Sequence, residues 1–342
     1  MDENKGKSRK TASVQGLLGI LALGACLLGY LAWIYWFFPY GSSPFPKSVE
    51  IPLGRSLKDV ARILETEGII LDSRAFSILS HLRKCPKNLK AGIYKFQEPL
   101  SAWRVLDLLD KGRPELVRIT IPEGCTLANV AERLSASGLV AKESFMKTAR
   151  DSLLISELLG FRAPSLEGFL FPDTYLFPPG VGDRTIISTM VGRFQEIFDP
   201  TMRKRAQEMG LSILEVVTLA SLVEKETAIA EERPIVAAVF HKRLRMGMRL
   251  ESDPSVIYGM ESFDGKLTRK DLLSPHPYNT YLHWGLPPGP ICSPGKEALR
   301  AVLFPADCDF LYFVSRNDGT HHFSRNLKEH MEAVSQYRRS RK

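Results

Sequence analysis

The chain has 342 residues, 44% of them hydrophobic and 25% charged, a composition that excludes wholesale disorder and a length that suits two domains. Its formal charge is +8, but residues 1–13 carry four bases against two acids and the last five residues carry four bases, leaving only +2 between them. No basic stripe remains to follow a phosphate backbone, so nucleic-acid binding is set aside.

From Val14 to Phe38 no residue is charged (VQGLLGILALGACLLGYLAWIYWFF), which is long enough to cross a bilayer as a helix. The run ends in Trp33, Tyr35, Trp36, Phe37 and Phe38, residue types that gather at a membrane–water interface. Lys5, Lys7, Arg9 and Lys10 precede it and the next base is Lys47. This bias keeps the N-terminus cytoplasmic and sends the rest of the chain outward. A cleaved signal peptide would have a shorter apolar core. Leu23-Gly24-Ala25-Cys26 has the form of a lipoprotein cleavage box, but the apolar run continues for twelve residues beyond the cysteine. The expectation is an uncleaved single-pass anchor. The five cysteines include no CxxC pair, so no metal cage or redox motif is offered. Their spacing permits a Cys292–Cys308 bridge outside the cytoplasm, with reduced core thiols the default.

After the anchor, Ile51–Ile70 (IPLGRSLKDVARILETEGII) repeats as Ile121–Val140 (IPEGCTLANVAERLSASGLV), with eight of twenty positions identical. Ser56 and Thr126 are N-cap residues, Ser56 with Asp59 approximates a capping box, and Leu57, Val60, Ala61 and Leu64 form one helical face. Gly68 and Gly138 stand where a helix stops in a left-handed residue. In the first copy a second helix over Ser73–Leu82 and a strand within Ala91–Phe96 complete a β-α-α-β order. That order resembles a LysM module, and the resemblance implies binding of N-acetylglucosamine polymers; a packing platform without ligand is the other reading. The second copy opens on a strand at Val117–Ile121 and shows no obvious closing strand.

Leu166–Gly180 (LEGFLFPDTYLFPPG) reads as a structured connection. Helices are expected over Thr185–Phe198, Leu211–Thr227 and Pro234–Met246, with a short one from Asp253. Ser274–Gly295 holds six prolines and three glycines and must be a long loop, where sites often lie. Phe310–Val314 reads as a buried strand. The seven histidines show no HExxH spacing, and no GxSxG, P-loop or GxGxxG occurs. Metal, triad, NTPase and dehydrogenase chemistry therefore lack support, and no cofactor is expected. What remains is a pair of glutamates, Glu224 and Glu226, at the end of the apolar run LSILEVVTLASLVEKET. They point about 160° apart on a helix, and spacing alone does not choose between them. A carboxyl in apolar surroundings has its ionised form disfavoured, the condition for a general acid near neutral pH.

ASLVEKET, LEGFLFPDTY, RLRMGMRLESDPSVIYG, PYNTY, GLPPGPI and SPG together resemble the bacterial endolytic murein transglycosylase, or YceG-like, family, over about residues 45–335. The resemblance implies that Glu226 is catalytic and that glycan strands of peptidoglycan are cut between N-acetylmuramic acid and N-acetylglucosamine, leaving 1,6-anhydro ends without a cofactor. Taken with the patterns above, the expected chain is α+β: a cytoplasmic tail (1–13), a transmembrane helix (14–38), a LysM-like module (47–116), a second repeat copy (117–160) and a mainly helical catalytic domain (161–342). The expected site is the inner membrane of a bacterium, facing the wall, with a membrane peptidoglycan synthase (a penicillin-binding protein) as partner and termination of nascent strands as the task. Asn279 and Tyr281 are candidates to bond acetamido groups, Tyr258 or Trp284 to stack on a sugar, and Asp253 to act as a second carboxylate. A non-catalytic wall-binding scaffold and a water-using muramidase are the rival readings.

Overall fold

The computed structural model describes residues 23, 24, 26, 27, 29–41, 44–52, 54–84, 89–111 and 116–339. It separates into two compact units, Met1–Val117 with Pro178–Gly180, and Arg118–Phe177 with Val181–Lys342. The chain mixes helix and strand, an α+β content. The expected tail 1–13 and much of the expected membrane helix lie outside the described residues; within the latter, residues 29–37 are helical. Among the described residues no single helix is long and apolar enough to cross a membrane.

The first unit is built on β1 (Pro39–Tyr40), β2 (Lys47–Ile51), α1 (Leu57–Thr66), α2 (Ser73–Leu82), β3 (Gly92–Phe96), β4 (Leu100–Ser101) and α3 (Ala102–Lys111). β2 and β3 pair antiparallel from Lys47↔Phe96 to Ile51↔Gly92. The two-residue alternation turns Val49, Ile51, Tyr94 and Phe96 inward. Ser56 caps α1 and Asp72 caps α2, which fixes where each helix starts. Val60, Ala61 and Leu64 of α1 then meet Phe76 and Leu79 of α2 and Val105, Leu106 and Leu109 of α3 in one apolar core. Tyr35 and Trp36 pack against that core, and the Tyr35 hydroxyl donates to the Asp72 carbonyl at 2.7 Å. Between β2 and β3 the order is β-α-α-β.

The second repeat copy lies in the second unit, as β5 (Val117–Thr120) and α4 (Leu127–Ala136), followed by α5 (Lys142–Thr148) and α6 (Ser152–Leu159). Here the capping box is complete, Thr126 and Asn129 each bonding the other's backbone N–H. In the first copy the Asp59 N–H donates to Ser56 Oγ and the Ser56 hydroxyl to the Asp59 carboxylate. The closing strand is β6 (Thr174–Phe177), which pairs with β5. It lies within the aromatic segment after Leu166, so the copy closes well past residue 160.

The remainder is helical: α7 (Asp183–Ile197), α8 (Pro200–Glu208), α9 (Ile213–Glu226), α10 (Arg233–Arg245), α11 (Asp253–Tyr258), α12 (Arg269–Leu272) and α13 (Lys296–Leu303). α9 is the central member, touching α8, α10, α11 and α13. It is buried continuously from Val216 to Val223, which is why it reads as almost unbroken apolar sequence. A hairpin of β7 (Tyr312–Ser315) and β8 (His321–Ser324), joined by α14 (Leu327–Arg339), completes the unit. β7 is only half-buried, not the buried strand expected at Phe310–Val314, because among the described residues β8 is its one strand partner.

Leu64 is fully buried whereas Leu71 is 56% exposed. Leu64→Ala is expected to lower the stability of the first unit by about 2–5 kcal/mol through lost transfer energy and a cavity. Leu71→Ala should stay within about 0.5 kcal/mol of the parent. Hydrogen exchange of the α1, α2, β2 and β3 amides measures both; equal protection in the two variants would contradict the assigned core.

Candidate active site

α9 is started by a reciprocal capping box between Ser212 and Glu215 and ended by Thr227 in extended conformation. Its two C-terminal glutamates are treated differently. Glu224 accepts the Gly295 N–H at 2.9 Å and pairs with Arg233 at 3.4 Å. Burial raises its carboxyl, while the Gly295 N–H and the Arg233 guanidinium pull it back. Glu226 has no ion pair among the described residues; its bond is from the Ser252 hydroxyl at 2.5 Å. Burial pushes its carboxyl up to about 7, the nearby Asp253 adding to the rise and Ser252 and Arg243 opposing it. One glutamate is a paired strut; the other is a carboxyl that holds its proton near neutrality.

Glu226 lines a cavity of about 460 Å³ shared with Arg243, Asp253, Tyr281 and His321. Ser252 is set in place by its buried backbone N–H donating to Thr280 Oγ1 at 2.9 Å, with Ser255 Oγ 2.8 Å from the same oxygen. Arg243 is fixed by bonds of 2.8 Å to the carbonyls of Leu250 and Leu311. It thus brings a cation to the wall that is tied to the backbone. Tyr281 donates to Asp253 Oδ1 at 2.7 Å, and burial followed by this bond raises its phenol.

Of the residues expected from sequence, Glu226, Asp253 and Tyr281 are therefore brought together. Asn279 is 1% exposed; its Nδ2 donates to the carbonyls of Leu272 and Ser274, and its Oδ1 accepts the Tyr281 N–H. Its polar atoms shape the proline-rich loop. Tyr258 faces a different cavity, of about 590 Å³, where it donates to Glu167 Oε2 at 3.0 Å. Trp284 is 64% exposed under the Arg249 guanidinium, outside the walls of the Glu226 cavity. Sequence reasoning did not single out Ser252, Arg243, His321 or Glu167. Glu167 is 4% exposed and accepts the Leu127 N–H at 2.9 and 3.0 Å; burial raises its carboxyl to about 7. Only its place in LEGFLFPDTY marked it. Among the described residues no group of three or more His, Cys, Asp or Glu side chains is placed to hold a metal ion. Cys26, Cys125, Cys292 and Cys308 are free thiols.

A family model described as the YceG-like family matches residues 49–336. A Bacillus subtilis protein named endolytic murein transglycosylase is 29% identical over 85% of this chain and 84% of its own length. A Streptococcus pneumoniae protein of the same name is 29% identical over 85% of this chain, which spans only 58% of that longer relative. The crystal structure of a yceG-like protein from Listeria monocytogenes matches with a TM-score of 0.59 at 32% identity, over 84% of this chain and 98% of that one.

Glu226 and Glu167 both bind their proton more tightly folded than unfolded, since 4.5 is the ordinary value and about 7 the folded one. The folded state then holds more protons between pH 4.5 and 7, so the stability these groups contribute is complete below about 4.5 and lost as pH rises through 7. Glu226→Gln removes one of the two titrations. Denaturation curves at pH 5 and pH 8 should show the variant gaining about 1–3 kcal/mol on the wild type between the two; parallel curves would contradict the proton-holding role.

Proposed function

The chain belongs to the YceG-like family, and from that premise we propose that it is an endolytic lytic transglycosylase of peptidoglycan with Glu226 as its acid. The observation that carries the reading is Glu226 itself, a carboxyl on a cavity wall, held by one serine hydroxyl and pushed up to about 7. Protonated Glu226 donates to the oxygen linking N-acetylmuramic acid to N-acetylglucosamine, and the bond from that oxygen to the anomeric carbon breaks. The carboxylate left behind accepts the proton of the muramic C6 hydroxyl as its oxygen bonds the anomeric carbon. No water is added, and the product ends in a 1,6-anhydro ring. The Asp253 carboxylate supplies negative charge near the developing cation.

Asp253 also favours a second reading. A carboxylate on the wall of the acid's cavity, bonded by Tyr281, has the chemistry to activate water, as in a two-carboxylate muramidase. A silent scaffold is the weaker rival, since it leaves unexplained a raised carboxyl that opens on a cavity and is held by one serine hydroxyl among the described residues.

The uncharged run 14–38 is a single-pass anchor in the cytoplasmic membrane with the N-terminus inside, and the β-α-α-β order of the first unit supports a LysM-like glycan holder. An enzyme anchored so close to its first glycan-holding unit meets strands as they emerge from a membrane peptidoglycan synthase, a penicillin-binding protein, and terminates them.

Mass spectrometry of purified glycan strands treated with the full-length chain tests the chemistry. Internal fragments with 1,6-anhydro ends are expected, with Glu226→Gln slower by at least ~1000-fold. Reducing ends would replace the mechanism with hydrolysis through Asp253, and a fully active Glu226→Gln chain would remove Glu226 from the chemistry. For the setting, a mature N-terminus at Cys26 would contradict the uncleaved anchor.

A further inference from the structure

The cavity has a second polar wall opposite in kind to the acid. His321, on β8, lines it together with Phe313 of β7. The imidazole is held tightly. Its Nδ1 lies 2.7 Å from Glu232 Oε2, and its backbone N–H donates to Glu232 Oε1 at 2.8 Å. Phe313 meets the ring edge-on, with centroids 5.5 Å apart and planes at 90°. Glu232 is itself a junction: it also accepts the Thr227 hydroxyl at 3.0 Å, and Thr227 is the residue that ends α9 directly after Glu226. Burial alone would raise the Glu232 carboxyl, but the His321 and Thr227 bonds hold it below the ordinary range. It therefore stays an acceptor, and His321 must donate to it from Nδ1. The nitrogen left for other partners is Nε2.

We propose that His321 is a substrate-contacting residue of this cavity, clamped by Glu232 so that Nε2 forms a hydrogen bond with a hydroxyl of the bound saccharide. The inference rests on the glycan-cleavage reading above. A sugar hydroxyl both donates and accepts, so it suits Nε2 in either protonation state. The clamp explains why the histidine is bonded to the same carboxylate that fixes the end of α9. One group, Glu232, sets the positions of the acid's helix end and of the contact on the other wall, as a carboxylate behind a functional imidazole commonly does.

The test uses the full-length chain and two substitutions that separate the ring nitrogens. His321→Asn keeps a donor near Nδ1 for Glu232 and deletes Nε2. His321→Gln keeps a polar atom near Nε2. Two readouts are taken: kcat and KM on glycan strands, and, in a Glu226→Gln background that does not turn over, affinity for a tetrasaccharide of alternating N-acetylglucosamine and N-acetylmuramic acid. His321→Asn is expected to melt with the parent yet lose ~10–100-fold in kcat/KM and bind the tetrasaccharide ~10-fold more weakly, with His321→Gln recovering part of both. An Asn variant equal to its parent in both readouts would overturn the proposal. Should Asn fail to fold, His321→Ala with added imidazole decides: restored cleavage supports the contact, and none refutes it. Failure of the wild type to cut strands would count against the cleavage reading alone, because the binding arm does not depend on turnover.

Discussion

Everything in the second unit follows from the enclosure of α9. Eight consecutive residues, Val216 to Val223, are buried, so the helix has no solvent face along which to release charge. Its charged side chains collect at its two ends. At the start, Glu215 closes the capping box with Ser212. At the finish, Glu224 and Glu226 must each be matched or kept protonated, because an unpaired buried carboxylate is costly. The protein adopts both solutions side by side. Glu224 is matched by Arg233 and by the Gly295 N–H, where the proline-rich segment meets α13. Glu226 receives one hydroxyl and remains an acid.

Much of the surroundings of Glu226 consists of residues that hold one another in place. Thr280 holds Ser252, Ser252 holds Glu226, and Arg243 is tied to two carbonyls before it contributes any charge. Asn279, from the same PYNTY segment as Thr280, is directed wholly into its own loop. The proline-rich stretch works as a clamp whose inner side fixes the hydroxyls behind the acid. Locking supporting groups in this way keeps the geometry of a site narrow.

What the sequence revealed was local. Ser56, Thr126 and the glycines after α1 and α4 announce helix ends through chemistry acting within a few residues, and α9 announces its burial by composition. The glutamate pair was visible because two carboxylates at the end of an apolar run are out of place. The missing parts depend on distance along the chain. β6 pairs with β5 across more than fifty residues, Ser252 reaches Glu226 from 26 positions away, and His321 reaches Glu232 from 89. No periodicity connects such positions. Asn279 and Trp284 could not be placed from sequence for the complementary reason: a polar or aromatic residue in a loop shows its type but not its partners.

Glu167 shows why a raised carboxyl does not by itself mark an active site. It and Glu226 are both pushed up to about 7, chiefly by burial, and both sit beside α11, whose Asp253 faces the Glu226 cavity and whose Tyr258 reaches Glu167. By proton affinity alone either could serve as an acid near neutral pH. Their bonding separates them. Glu167 is 4% exposed and accepts the N–H that opens α4 and the Tyr258 hydroxyl, so it joins the second repeat copy to α11. Moving its proton to a substrate would break those ties. Glu226 has one bonded partner among the described residues and an open cavity beside it, so it can give up a proton without releasing a helix. The distinction between a buried strut and a buried acid therefore lies in how many structural bonds depend on the carboxyl.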